Sequence, residues 1–308
     1  SGTVRCGGSS PFIRTKEGIN RCLREPQTSV FCFFCNIAQL FKLHIMLLNY
    51  ITWNADPTAF ELFGHPIRWY GLLLATGFYL SYFLLQKILK REKMIDDRIN
   101  ALSIYIFAGT IIGLRLGHCL FYEPAYYLSN PIEILKVWEG GLASHGAAFG
   151  ILLAVWIYSR KYKFSYIGLL DKIVIVIPLA GALVRMGNLM NSEIFGDATN
   201  LPWGFIFVKA QQTIPRHPTQ IYEAIACIII FAILLYLYYK KNAGVKTGYL
   251  FGVFLILLFS FRFIVEFIKD VQVDFEKAMF LNMGQLLSIP LIGVGIFLLG
   301  RAMRKQKE

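Results

Sequence analysis

The chain has 308 residues, of which 56% are hydrophobic and 16% are charged. An ordinary soluble domain carries about 25% charged residues, so this composition excludes a typical soluble protein and indicates a polytopic membrane protein. The formal net charge of +12 could suggest nucleic acid as a partner. The basic residues, however, cluster in short segments between apolar stretches, as membrane topology predicts, and we therefore expect no nucleic-acid binding.

The first 45 residues differ from the rest of the chain. They show no apolar periodicity, and the apolar stretch that ends them is too short and too interrupted to span a bilayer. Cys32 and Cys35 form a CxxC pair, but no second pair stands at zinc spacing and no βαβ pattern surrounds it. Met46 is the first methionine. We interpret residues 1–45 as a disordered or upstream extension and residues 46–308 as the functional transmembrane domain.

Seven apolar stretches follow, each close to the ~20 residues that cross a bilayer as a helix. They predict an all-α fold with seven transmembrane helices, at residues 67–86, 99–121, 141–158, 166–186, 219–239, 247–268 and 281–300.

The connections between these spans alternate in charge. Fifteen lysines and arginines lie in one set, at residues 87–98, 159–164, 240–246 and 301–308, whereas the three other loops between spans hold five. Because cytoplasmic loops carry an excess of Lys and Arg, we expect the first set in the cytoplasm. An odd number of spans then predicts a periplasmic N-terminus, a cytoplasmic C-terminus and periplasmic loop elements that carry the chemistry.

Glycines recur every four residues on two predicted spans. Gly109, Gly113 and Gly117 lie on the second span, and Gly146 and Gly150 lie on the third. This spacing lets two helix backbones approach closely in lipid. We expect these glycines to serve helix packing.

Ionisable side chains inside membrane spans cost at least about 2.5–3.5 kcal/mol each, so by default they indicate function. The residues of this kind, with one neighbouring asparagine, are Arg115, His118, His145, Arg185, Asn188, Glu193, Arg262 and Glu266. Some have structural explanations. Arg262 and Glu266 are four residues apart and could neutralise one another, and His118 could be a satisfied interfacial histidine. His145 follows a Gly-Gly break, where a helix could begin at a site.

Two arginines, Arg185 and Arg262, are expected at similar depth on different helices. The planar guanidinium fork binds phosphate through two parallel hydrogen bonds. Asn188 and Asn191 are about one turn apart and can share a face, offering donors and acceptors. The residues therefore predict a phospholipid headgroup site. The histidines are scattered, so we expect no metal site.

The stretch RMGNLMNSEIFG (185–196) resembles the signature of the prolipoprotein diacylglyceryl transferase family, Gly-Arg-x-Gly-Asn-Phe-x-Asn-x-Glu-x-x-Gly. Val184 and Leu189 depart from it, and Leu258 stands where the family can carry a tyrosine. Further segments resemble the family in family order: IRWYGLLLATGF, RLGHCLFYEP, WEGGLASHGAAFGI, RHPTQIYEA, FRFIVEFIKD and MGQLLSIP. The resemblance covers residues 67–290.

This resemblance implies a seven-span enzyme of the bacterial inner membrane with its active site on the periplasmic side. Such an enzyme moves the diacylglyceryl group of phosphatidylglycerol onto the lipobox cysteine thiol of a preprolipoprotein. A thioether forms and glycerol 1-phosphate leaves, in the first step of lipoprotein maturation. The expected partners are therefore phosphatidylglycerol, the signal peptide and the bilayer, and no cofactor is expected.

The resemblance also implies roles for individual residues. The thiol, with a pKa of about 8.5, must lose its proton, and a histidine near 6.5 is a plausible acceptor; His145 is the candidate. Arg185 and Arg262 would hold the leaving phosphate and stabilise its charge. The other candidates for binding phosphatidylglycerol are Tyr70, Asn188, Glu193, Gly196 and Glu266. Among them Glu266 could orient Arg262, and Tyr70 could bind the headgroup or belong to the aromatic belt.

Two other classes of protein would also carry ionisable residues at depth. A transporter would do so, but transporters often have related halves, and residues 67–160 and 166–300 show no repeat. A structural module that only binds lipid would explain the arginines but not His145.

Overall fold

The computed structural model describes residues 50–136, 141, 143–241, 243–270 and 280–304. The predicted extension at 1–45 and the predicted boundary at Met46 lie outside this part of the chain. Within it, eight α-helices form the molecule: α1 (Trp69–Arg91), α2 (Asp96–Phe121), α3 (Pro124–Ser129), α4 (Ser144–Tyr162), α5 (Tyr166–Met190), α6 (Thr219–Lys240), α7 (Tyr249–Val265) and α8 (Met283–Arg304). Short 3₁₀ turns include Pro131–Leu135 and Glu266–Ile268.

Six of the described helices are long and apolar enough to cross a membrane: α1, α2, α5, α6, α7 with its 3₁₀ extension, and α8. They correspond to six of the seven predicted spans. The third predicted span forms α4, which has 19 residues and carries His145 in its first turn and Arg160 and Lys161 in its last. These polar ends shorten its apolar section. The structure therefore confirms an all-helical fold with six described helices able to cross a membrane, and the crossing of the third predicted span stays a prediction.

Outside the long helices, the described residues also form four short strands: β1 (Ile51–Trp53), β2 (Thr58–Leu62), β3 (His65–Arg68) and β4 (Phe205–Phe207). Strands β2 and β3 form an antiparallel hairpin that leads directly into α1. Strand β1 pairs in parallel with β4, in the register Ile51↔Phe205. The Trp53 indole Nε1 donates to the carbonyl of Leu189 at 2.9 Å, so this small sheet is fixed to the end of α5.

Charged side chains and one serine cap stabilise the ends of α1, α2 and α5. Asp96 and Asp97 lie in the first turn of α2, and Lys90 and Arg91 lie in the last turn of α1, each matching the sign of the helix dipole. Ser165 precedes α5, and its Oγ accepts a hydrogen bond from the Gly168 amide at 3.2 Å.

Helix α5 is the most buried of the six membrane-length helices. Near its start it carries two buried charges, Asp171 and Lys172. The Asp171 carboxylate accepts hydrogen bonds from the amides of Gly248 (2.6 Å) and Phe251 (2.8 Å), which lie at the start of α7. Lys172 Nζ donates to the carbonyl of Gly244. This pair fixes α7 to α5 at the end of the bundle opposite Arg185, about 21 Å away along the helix axis.

Helices α2 and α4 pack through their glycines, as the spacing predicted. A Cβ on Gly113 would overlap the carbonyl oxygen of Gly146, and one on Gly150 would overlap that of Gly109. A Cβ on Gly117 would lie 2.7 Å from the Cα of Gly146. Because the obstructing atoms belong to backbone, only glycine permits this separation of the two helices.

Candidate active site

Arg185 lies near the carboxyl end of α5, where the signature stretch begins. Its Nε lies 2.6 Å from Oε2 of Glu223, a buried residue in the second turn of α6. Its Nη1 donates to Asn188 Oδ1 at 3.5 Å. One edge of the guanidinium is thus oriented by a carboxylate from another helix. An arginine fixed in this way is suited to binding a planar or tetrahedral anion.

The residues after Arg185 fold into a compact turn around Glu193. Its Oε1 accepts hydrogen bonds from Asn188 Nδ2 at 2.7 Å and Asn191 Nδ2 at 3.3 Å. Gln220 Nε2 donates to the Glu193 carbonyl at 2.6 Å. The two asparagines therefore do lie on one side, as their spacing predicted, and they converge on a carboxylate.

Gly196 ends the signature stretch at a close approach of three segments. Its amide donates to the carbonyl of His217 at 2.9 Å. A Cβ at this position would lie 2.8 Å from Thr219 Cγ2 and would overlap the carbonyl oxygen of Ile268. Packing alone thus requires glycine here. The predicted contact of Gly196 with substrate remains a prediction.

Two residues of the site were not singled out from the sequence. Lys269 Nζ lies 3.2 Å from Oε1 of Glu223, so one carboxylate pairs with both Lys269 and Arg185. Burial lowers the pKa of Lys269, and the Glu223 carboxylate opposes this shift. The rule that ionisable residues inside a span indicate function applies equally to Glu223 and would have identified it.

Arg262 lies in the last turn of α7, and Glu266 begins the 3₁₀ turn that follows. Both act electrostatically on the Lys269 ammonium, which connects them to Arg185 and Glu223. We call these five residues the charged cluster. Among the described residues, neither Arg262 nor Glu266 forms an ion pair within 4.0 Å, so they do not pair with one another. The simple neutralisation that their spacing permitted is absent.

Tyr70 lies in the first turn of α1 and contacts the signature stretch. A Cβ on Gly187 would lie 2.9 Å from Tyr70 Cδ2, so the ring packs directly on that glycine. Tyr70 also lies within electrostatic range of Glu193 and Arg185. Its position is therefore at the site and not only in an aromatic belt.

His145 lies apart from the charged cluster. Its exposed ring contacts Phe121, with centroids 5.2 Å apart, and Tyr122 at 5.9 Å. In the described part of the chain, no hydrogen bond, ion pair or ring contact joins His145 to the charged cluster. His118 stacks on Tyr122 at 5.4 Å, which agrees with an interfacial histidine.

Arg115 is buried on α2 and binds backbone. Its Nε donates to the carbonyl of Ile134 at 2.9 Å, and its Nη2 donates to that of Glu133 at 2.6 Å. It thereby fixes the connection that follows α3. Across the described ranges, no group of three metal-ligating side chains occurs.

Comparison with known proteins identifies the family. The model of the family described as prolipoprotein diacylglyceryl transferase matches residues 57–301, most of the chain. The chain belongs to the prolipoprotein diacylglyceryl transferase family. It is 47% identical over 270 residues to the phosphatidylglycerol–prolipoprotein diacylglyceryl transferase of Porphyromonas gingivalis. This alignment covers 83% of this chain and 95% of the relative. The proteins of the same name from Tolumonas auensis and Bacteroides fragilis are 46% and 43% identical, covering 80% and 82% of this chain and 95% of each relative.

The family match confirms the resemblance found in the sequence and includes every candidate residue. The structure brings together Tyr70, Arg185, Asn188, Glu193, Gly196, Arg262 and Glu266, and adds Glu223 and Lys269. It leaves His145 beside α2. The geometry thus supports an anion site for this transferase family more directly than it supports a proton acceptor.

Proposed function

We propose that this protein transfers the diacylglyceryl group of phosphatidylglycerol to the lipobox cysteine of a preprolipoprotein. Membership of the family supports the proposal, since the relatives are named for this activity. The observation that carries it is the charged cluster, in which two arginines from different helices both act electrostatically on Lys269. Glycerol 1-phosphate would be the leaving group.

The arginines would bind the phosphate. Glu223 fixes one edge of Arg185, and Arg262 has no ion-pair partner in the described part of the chain, so its charge is available. Negative charge grows on the phosphate oxygen as the carbon–oxygen bond breaks. Fixed donors in a low-dielectric site stabilise such charge more strongly than water does. The two guanidinium groups would supply these donors.

The nucleophile would belong to the second substrate. The cysteine sulfur forms a bond to the glyceryl carbon that carried the phosphate, the carbon–oxygen bond breaks, and the bonding electrons leave with glycerol phosphate. The thiol proton must pass to an acceptor. His145 remains our candidate for that role, and its exposure leaves it accessible to a peptide.

Tyr70, Asn188, Glu193, Gly196 and Glu266 complete the proposed phosphatidylglycerol site. Tyr70 packs on Gly187 of the signature stretch and lies within electrostatic range of Arg185 and Glu193, which supports a role for its hydroxyl in binding the headgroup. Asn188 and Glu193 hold one another, which fixes the turn that follows Arg185. Neither a cofactor nor a metal enters this proposal.

We further propose seven spans in the bacterial inner membrane, with α4 as the third. The site then lies on the periplasmic side, the N-terminus is periplasmic and the C-terminus is cytoplasmic. The distribution of Lys and Arg supports this orientation. We propose residues 46–308 as the transferase domain; the family model matches residues 57–301 within it.

The test is a reconstituted transfer reaction. Purified protein in vesicles containing phosphatidylglycerol would be incubated with a lipobox peptide, and glycerol phosphate release and peptide mass would be measured. We expect both release and a diacylglyceryl mass gain, and neither with a peptide in which serine replaces the lipobox cysteine. Lipid binding without release would indicate a lipid-binding module, and movement of lipid without a covalent product would indicate a transporter.

A further inference from the structure

Glu266 is one helical turn from Arg262, yet its carboxyl group lies against a different helix. A Cβ added to Gly284 would be 2.6 Å from the Glu266 Cδ and 2.7 Å from its Oε1. Gly284 lies in the first turn of α8. The carboxyl group therefore occupies the space that any larger residue at position 284 would fill.

Two side chains cap the start of α8 and also bind it to the end of α7. The Gln285 amide donates to Asn282 Oδ1 at 3.0 Å, and the Asn282 amide donates to Gln285 Oε1 at 3.2 Å, as in a capping box. The same side chains reach across, since Asn282 Nδ2 donates to the Glu266 carbonyl and Gln285 Nε2 donates to that of Phe263, each at 3.4 Å. The space at Gly284 is thus held in place relative to Glu266.

The start of a helix favours negative charge, because its first backbone N–H groups have no partner within the helix. The Glu266 carboxyl group lies in that field at Gly284. Its Oε2 is buried and has no hydrogen-bond partner among the described residues. The carboxyl group is therefore held by its place against the start of α8 and not by an ion pair with Arg262.

We propose that Gly284 is a positioning residue that keeps the Glu266 carboxylate away from Arg262. This inference rests on the proposed function, in which the Arg262 guanidinium binds phosphate. With a side chain at position 284 the carboxylate must move. Arg262 lies four residues before Glu266, within reach of a displaced carboxylate, whereas the nearby Lys269 is already paired with Glu223. An ion pair with Arg262 would occupy the phosphate-binding donors.

The experiment compares phosphatidylglycerol turnover, as kcat/KM, in Gly284→Ala, Glu266→Gln and the double variant. Losing an oxyanion donor altogether costs roughly 10²–10³ in rate, so partial neutralisation of Arg262 in Gly284→Ala should cost about tenfold or more. Glutamine has the size of glutamate without the charge. In the Glu266→Gln background, the added Gly284→Ala should therefore change the rate by no more than about twofold, so the two substitutions should be strongly non-additive, as expected for residues that interact.

Gly293→Ala is the matched control, because it lies on the same helix with no heavy atom within 4 Å of its Cβ position. It should match wild type. The inference is overturned if Gly284→Ala is silent, or if it costs as much in the Glu266→Gln background, which would indicate steric damage alone. If Gly284→Ala yields no folded protein, the double variant against Glu266→Gln decides: equal rates support the inference and a loss overturns it. Wild-type protein without turnover would contradict the proposed function itself.

Discussion

At the scale of single residues, the described cations of the charged cluster outnumber the carboxylates that form ion pairs with them. Glu223 pairs with both Arg185 and Lys269, and Glu266 pairs with none of the described cations within 4.0 Å. A carboxylate that served one arginine fully would compete with the phosphate for that arginine. Sharing Glu223 and displacing Glu266 leaves positive charge available for an anionic lipid.

Arg185→Lys tests whether the guanidinium fork, and not charge alone, is needed. Lysine keeps the charge but offers one compact group in place of parallel donors. The substitution also removes the contact between Arg185 Nε and Glu223. We expect turnover of phosphatidylglycerol to fall by roughly 10²–10³, the cost of one oxyanion donor. The control is Arg301→Lys, at an exposed position near the end of α8, which should retain wild-type turnover. Near-normal turnover in Arg185→Lys would contradict a bidentate phosphate contact.

At the scale of helices, the bundle is held from both ends. Buried Asp171 caps α7 from α5 at one end, and the capping box of α8 meets α7 at the other. The Arg262 and Glu266 side chains lie on the segment of α7 next to that second junction. The position of α7 is thus set by contacts outside the charged cluster.

Asp171→Ala should lower stability without touching the site. The substitution leaves two amides at the start of α7 without their acceptor, which costs about 2 kcal/mol and lowers the unfolding midpoint by roughly 4–8 °C. Thermal unfolding of the purified full chain measures this. Asp97→Ala, in the exposed first turn of α2, should shift the midpoint by much less. Equal shifts in the two variants would mean that the Asp171 cap does not stabilise α7.

The α2–α4 contact predicts a second effect at this scale. Gly113→Ala would place a methyl group in contact with backbone atoms of Gly146 and Gly150 that cannot move independently, so we expect destabilisation of about 1–3 kcal/mol. Gly300→Ala on α8 meets no heavy atom within 4 Å and should be neutral or slightly stabilising, by up to about 1 kcal/mol. Both are read from thermal unfolding. A neutral Gly113→Ala would show that the two helices are not in close contact.

At the scale of the whole molecule, the proposed orientation can be tested by labelling. Single cysteines would replace exposed residues, with an impermeant thiol reagent added to intact cells. We expect labelling at Asn130 and Asn200, and protection at Lys163 and Lys241. Protection at Asn130 together with labelling at Asn200 would remove α4 from the crossing helices. The reverse of the whole pattern would place the site in the cytoplasm.

The sequence by itself determined the helical membrane class, the use of regularly spaced glycines for helix packing, and the family. These depend on local properties: the length of an apolar stretch, a four-residue spacing, and a signature that is contiguous in the chain. The crossing of α4 stays a prediction, because its polar ends leave it outside the six described helices of sufficient length and apolarity.

Only the tertiary structure decided which charges meet. Arg185 finds Glu223 on another helix, and Glu266 lies against Gly284 instead of its sequence neighbour Arg262. Likewise His145, which we expected to serve the same reaction as the signature residues, contacts Phe121 on α2. The reason is physical: an ion pair forms between side chains that helix packing brings within a few ångströms, and backbone close approaches such as that of Gly113 to Gly146 set which helices are neighbours.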